Sequence, residues 1–221
     1  EILVLIGEQG LYKTTWFNFL LPPELRCYFY TKTNSDRLNK DDLFSLTEFA
    51  LICFEELDGM RPAELNQLKA MVTMPYVNER AAYGRNKERH PHIASFCGTG
   101  NNVQFLTDPT GNRRWLPFEV SQIRDPHLHA IPYELVYSQA YALWKSGFCH
   151  WFSQEEIRKL NMHNSRFEVP NLEEDLIRTH FRKPFEGEAG IFVTAADILE
   201  QISSCLRYPL SPNKIGRIMA G

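Results

Sequence analysis

Lysine, threonine and glycine crowd the first fifteen residues, EILVLIGEQGLYKTT, at a spacing suited to holding a chain of phosphates. Gly7 and Gly10 would let backbone N–H groups turn inward toward an anion, and Lys13 would reach β- and γ-phosphates. Thr14, with Thr15 beside it, would offer a hydroxyl to Mg²⁺ at the start of a helix. The pattern G-x-x-x-x-G-K-[ST] fails at one position, where Tyr12 takes the place of the glycine before the lysine. If the backbone there needs a positive φ or a close approach to phosphate, an aromatic residue carries a steric cost. Lys13 itself is expected to project into a solvent-filled loop. The competing reading of the stretch is a glycine-rich strand-to-helix turn that binds nothing.

Phosphate chemistry also needs acids beside such a loop. The apolar run FALICF, residues 49–54, leads directly into Glu55 and Glu56, with Asp58 two residues on. After a core strand, one carboxylate can organise a Mg²⁺ shell while another polarises an attacking water. A solvated acidic turn is the alternative. A further run, IASFC at residues 93–97, opens into GTGNN, where Asn101 is placed to hold that water. Beyond the turn at residues 108–111, Arg113 and Arg114 stand ready either to anchor on carboxylates or to neutralise phosphoryl charge. Arg80, Arg85, Lys87 and Arg89 cluster about Gly84, which reads as a hairpin with a basic tip able to meet nucleic-acid phosphates, or as mere solvated surface.

The elements that must position these groups follow from apolar patterning. Residues 1–6 form a β-branched run of the kind a strand buried on both faces requires, ended by Gly7. Trp16, Phe17, Phe19 and Leu20 cover one helical face before Pro22 and Pro23 stop the helix. Residues 28–30 read as a short strand, 34–36 as a turn and 41–46 as the start of a helix. Pro62 opens a helix bearing Leu65, Leu68, Met71 and Val72, and residues 116–120 form another strand. Residues 133–145 make an amphipathic helix through Leu135, Val136, Ala140, Leu143 and Trp144, closed by Gly147. Capping boxes at Ser153 and Asn171 open two more helices, residues 183–190 read as a linker, and Thr194 and Ser211 start the last two.

Taken in order, GEQGLYKTT, FALICFEELDGMRPAELNQLKAMVT, YGRNKE, ASFCGTGN and DPTGNRRWLPFEV closely resemble the virulence-associated protein E family over about residues 1–120. The resemblance implies a P-loop ATPase related to superfamily-3 helicases and AAA+ ATPases, encoded on phages and genomic islands. It implies ATP and Mg²⁺ as ligands, Lys13 and Thr14 as Walker A residues, Glu55 and Glu56 as Walker B acids, and Asn101 as the sensor. Arg113 or Arg114 would be an arginine finger completing a neighbour's site in a homo-oligomeric ring, and DNA would be the partner. The fold expected is an α/β P-loop core with a parallel central sheet over residues 1–147. A helical part, 148–221, would follow, its residues 190–221 similar in order to a truncated winged helix. The activity expected is ATP hydrolysis in DNA replication. A nucleotide- or DNA-binding scaffold without hydrolysis is the alternative that Tyr12 motivates, and a small-molecule P-loop kinase is a third.

Composition agrees with this frame. The chain has 221 residues, 43% hydrophobic, enough for one sizeable core, and carries no run of membrane-spanning length. The net charge of −3 supplies no global field toward nucleic acid, so any such binding is local. Five widely spaced cysteines, Cys27, Cys53, Cys97, Cys149 and Cys205, read as reduced cytoplasmic thiols. The pairs His90/His92 and His127/His129 have no ligand partner at metal spacing and read as surface or packing residues. Glu1 falls inside a core strand, which suggests a piece of a longer protein.

Overall fold

A computed structural model describes residues 1–33, 39–80, 85–107, 112–170, 172–182, 184–185, 187–203 and 212–220. The turn at residues 34–36, the hairpin tip at Gly84, the turn at 108–111, the helix-opening Asn171 and Ser211, and Cys205 lie outside the described residues.

Alternation along the first strand explains the layers of the fold. In β1 (Ile2–Ile6), Ile2, Val4 and Ile6 face one cluster and Leu3 and Leu5 the other, so both faces of the strand are apolar and both are covered. On the Leu5 side, α1 (Lys13–Leu20) packs Phe17, fully buried, with Trp16 and Leu20 beside it. On the other side lie α2 (Lys40–Glu48) and α3 (Pro62–Val72), through Leu46, Leu65, Leu68 and Met71.

The remaining strands are β2 (Phe29–Lys32), β3 (Leu51–Phe54), β4 (Tyr76–Glu79), β5 (Glu88–Pro91), β6 (Ser95–Gly100) and β7 (Trp115–Glu119). Five of the seven form a parallel sheet in the order β2-β3-β6-β1-β7, and β4 pairs with β5 as a separate antiparallel hairpin. The strand expected over residues 93–97 runs three residues further, as β6. Gly98, Thr99 and Gly100 are the buried second half of β6, paired with Val4, Leu5 and Ile6. A Cβ at 98 would stand 2.4 Å from Cδ1 of buried Leu57, in the short turn that crosses over the strand, so any larger residue would have to displace that side chain.

After β7 the chain reaches α4 (Tyr133–Lys145), closed at Gly147 with φ +75°. Its apolar residues do not pack as the amphipathic pattern predicts. Leu135 and Trp144 are more than two-thirds exposed, and the helix is held instead by Tyr133 and Tyr137, whose hydroxyls donate to the carbonyls of Phe19 (2.6 Å) and Leu20 (2.9 Å). Next comes α5 (Gln154–Asn164), opened by the predicted capping box at Ser153 and Glu156.

Contacts divide the chain into two compact units, Glu1–Val169 and Pro170–Gly221. The second contains α6 (Leu172–His180), α7 (Ala195–Ser203) and α8 (Pro212–Ala220) around Ile177, Ile198, Ile202 and Ile215. Thr194 caps α7 as predicted, accepting from Asp197 N–H and donating to Oδ2 of Asp197. No strand occurs among the described residues of this unit, and no helix among the described residues is long and apolar enough to cross a membrane.

A buried ion pair fixes the sheet edge next to the acids that follow β3. Nζ of Lys32 lies 2.7 and 2.8 Å from the carboxylate of Asp42, both residues being 4% exposed, and Asn39 N–H donates to Oδ2 of the same carboxylate. Removing one partner of such a pair strands a charge in the core. Asp42→Ala should therefore lower unfolding free energy in urea by about 3–5 kcal/mol. A loss below 1 kcal/mol would mean that the Lys32 charge is held without Asp42.

Candidate phosphate-type cleft

Because β1, β3 and β6 are parallel neighbours, whatever follows each of them emerges at the same end of the sheet. Three sequence features converge there: the loop after β1, the acids after β3 and the asparagine after β6. They line a cleft of about 230 Å³ whose wall includes Gly10, Lys13, Thr14, Thr15, Glu55, Glu56 and Asn101.

Local geometry of the loop follows from close packing. Gly7 N–H donates to Gly100 O (3.2 Å), and a Cβ at Gly7 would lie 2.4 Å from Val120 O, so only glycine fits between the two flanking strands. Gly10 has φ +87°. Tyr12 takes φ +59° and ψ +20°, the left-handed conformation that the missing glycine would adopt freely. The loop therefore keeps its turn in spite of the substitution, with the tyrosine ring largely at the surface. Glu56, also at a positive φ of 54°, turns the chain immediately after Glu55.

Lys13 departs from the expectation that it projects into solvent. It is 7% exposed and its ammonium donates to Gly7 O (2.7 Å), Glu8 O (2.7 Å) and Asn101 Oδ1 (3.2 Å). Loss of hydration pulls its pKa below the ordinary lysine value, and the carboxylate of Asp58 partly offsets this. A lysine whose charge is under-solvated gains more from an anion than one already in water. Across the cleft, Thr14 Oγ1 donates to Glu55 Oε1 at 2.8 Å, joining the first turn of α1 to the end of β3.

Sequence reasoning missed two members of this cluster. Asp58 accepts the backbone N–H of Asn101 and of Asn102, each at 3.1 Å, and so sets where the Asn101 side chain starts. Its sequence signal was its place three residues after Glu55, read only as part of a turn. Thr99, buried in β6, lines the cleft two residues before the asparagine that the sequence singled out.

Two predicted groups are not brought to the cleft. Arg113 and Arg114 precede β7, where Trp115 pairs with Ile2, so they stand at the start of the parallel strands, roughly 15 Å along the sheet from the loop after Ile6. Their turn is built into the fold: Asn164 at the end of α5 donates to Asn112 O (2.8 Å) and Trp115 O (3.0 Å), and Asn112 donates to Glu168 (2.6 Å). Arg113 is exposed, whereas Arg114 has a buried Nε without a partner. The basic hairpin forms as predicted, and among its cations Arg85, Lys87 and Arg89 are exposed, with the Arg89 guanidinium 3.5 Å above the ring of Tyr76. Arg80, also exposed, follows β4.

The backbone at residue 12 yields a direct test. Replacing Tyr12 by Gly or by Ala removes the same ring, so the two variants differ only in how they bear a left-handed φ. Tyr12→Gly should be the more stable by about 1 kcal/mol in urea unfolding. Equal stability would show that the turn relaxes out of this conformation.

The profile of the virulence-associated protein E-like domain matches residues 1–169. No curated protein matches the chain. Among solved structures, an A-form apo structure of the NrS-1 C-terminal region is 12% identical with a TM-score of 0.41, over 75% of this chain and 33% of that one. A second apo structure of the same region is 13% identical with a TM-score of 0.42, over 75% and 35%. This chain thus spans about a third of the length of those structures. With the profile covering three-quarters of its length, the chain belongs to the virulence-associated protein E-like domain family.

Proposed function

We propose that this chain is the Mg²⁺-dependent ATPase core of a helicase-like DNA replication protein of a phage or genomic island. The observation that carries the reading is the 2.8 Å contact between Thr14 and Glu55, with Lys13 and Asn101 meeting beside it. A hydroxyl and a carboxylate are hard oxygen donors of the kind Mg²⁺ takes, alongside water and phosphate oxygens. Thr14 and Glu55 would hold the ion, which would supply neutralisation of charge on the phosphates. In this reading Lys13 exchanges the carbonyls of Gly7 and Glu8 for phosphate oxygens, and backbone N–H groups of the loop after Gly7 would turn to the anion, the Gly7 N–H itself being held by Gly100 O. Glu56 accepts the proton-bearing side of an attacking water, and Asn101, held by Asp58, orients it.

The fold reading that accompanies this is a P-loop NTPase core of the AAA+ and superfamily-3 kind. Arg113, exposed and remote from its own cleft, would complete the cleft of the next subunit in a ring, where closure of the interface strips water from the guanidinium. Arg80, Arg85, Lys87 and Arg89 on the hairpin would meet DNA phosphates, and the order of α7 and α8 supports a partial winged helix. A binding scaffold without hydrolysis is favoured by one observation, a tyrosine at positive φ in the cleft wall where the phosphate-loop pattern has glycine.

Steady-state ATP hydrolysis with and without single-stranded DNA separates these readings: DNA-stimulated turnover is expected, and nucleotide binding without turnover would favour the scaffold. Lys13→Ala should abolish turnover. So should Arg113→Ala in the assembled protein, since loss of a finger supplied in trans is worth about 10³ to 10⁵ in rate. Mixing the two inactive variants should restore part of the activity, from interfaces that pair an intact loop with an intact arginine. Persistent inactivity in a confirmed mixed assembly would remove Arg113 from the chemistry.

A further inference from the structure

A second cavity, of about 350 Å³, adjoins the helix that carries Lys13. Trp16 forms one wall, and the chain that leaves β7 forms the rest through Gln122, Ile123, Arg124, His129 and Ile131. The cavity and the cleft lie against successive residues of α1, Thr15 lining the cleft and Trp16 the cavity. Val120 ties the two sides together: its N–H donates to Ile6 O at 2.7 Å and its carbonyl packs against Gly7.

The wall is a built structure. Asp125 accepts three backbone N–H groups, from His127 at its carboxylate (2.9 Å) and from Leu128 and His129 at its carbonyl (3.1 and 3.0 Å). The ring of His127 stands edge-on to Phe19 at 4.9 Å, which pins this turn to the far end of α1.

Its chemistry differs from that of the cleft. Where the cleft offers a cation, hydroxyls and carboxylates, the cavity offers an indole and two isoleucines for flat apolar faces, and an amide, an imidazole and a guanidinium for polar edges. No carboxylate lines it among the described residues, so it is not built for a cation. A planar heterocycle with hydrogen-bonding edges, joined to an anionic chain, satisfies both spaces together.

We infer that this cavity receives the nucleobase and ribose of the nucleotide whose phosphates enter the cleft, with Trp16 stacking on the base and Gln122, Arg124 and His129 reading its edge. The inference rests on the nucleotide reading of the cleft and adds where base recognition resides. Stacking of a base on an aromatic side chain is worth about tenfold or more in affinity.

The test compares ATP with inorganic tripolyphosphate, which carries the charge but has no base, in the presence of Mg²⁺ by titration calorimetry. Wild-type protein should bind ATP at least tenfold more tightly than tripolyphosphate, Trp16→Ala should erase most of that difference, and its tripolyphosphate affinity should stay within about twofold of wild type. The double variant Gln122→Ala/Arg124→Ala, on exposed loop positions, should weaken ATP selectively and decides the matter if Trp16→Ala unfolds. Equal affinity of wild-type protein for the two ligands, or unchanged ATP preference in the folded variants, overturns the base site while leaving the phosphate cleft standing. Binding of neither ligand overturns both.

Discussion

A threonine hydroxyl and a glutamate carboxylate meet at 2.8 Å only because β1 and β3 run parallel with β6 between them. Parallel pairing forces the three strands to release their chains at one end, and it requires that both sheet faces be apolar and covered. The rest of the first unit answers that requirement. Phe17 seals one face and Leu46, Leu65, Leu68 and Met71 the other, while glycines at 98 and 100 let the turn after β3 lie directly over β6. A Cβ at Gly100 would stand 2.8 Å from Cδ1 of Ile6 and 3.0 Å from Oδ1 of Asp58, so a side chain there would press on the residue that clamps Asn101.

Charge in the cleft is arranged around the desolvated Lys13. Its pKa is lowered, so the charged form is the disfavoured one on folding. Native protein then binds fewer protons than the unfolded chain near this group, and the destabilising contribution is present below the native pKa and relieved as pH rises through the unfolded value. At neutral pH the ammonium persists, compensated by two loop carbonyls, Asn101 and the field of Asp58. An incoming anion would displace weak partners with a stronger one. Tyr12 fits the same loop, since its backbone takes the turn and its side chain remains partly exposed.

Much of this was legible in the residues. The strand–loop–helix order of the first fifteen residues, the acids after residues 49–54 and the hairpin read within residues 77–92 are local patterns, set by periodicity and turn chemistry, and the fold keeps all three. What escaped was non-local. The strand expected to end at residue 97 continues to Gly100, because the glycines at 98 and 100 mark a strand crossed closely by another segment. Asp58 looked like a turn residue because its partners, the N–H groups of Asn101 and Asn102, lie 43 and 44 positions away. The burial of Lys13 also escaped, since its ammonium folds back onto the carbonyls of Gly7 and Glu8 and reaches Asn101, 88 positions away. The apolar face of α4 misled in the opposite direction: the pattern implied packing, and tyrosine hydroxyls tether the helix with that face uncovered.

The central claim is that Thr14 and Glu55 form the metal-linked half of a nucleotide site, and the dependence of ATP affinity on Mg²⁺ measures it most directly. Titration of ATP into the protein with Mg²⁺ and with a chelator should show tighter binding with the ion for wild type, and Thr14→Ala and Glu55→Gln should each lose that gain while retaining the weaker metal-free binding through Lys13. Affinity that is indifferent to Mg²⁺ in wild type, or a Mg²⁺ gain that survives in both variants, would contradict the account.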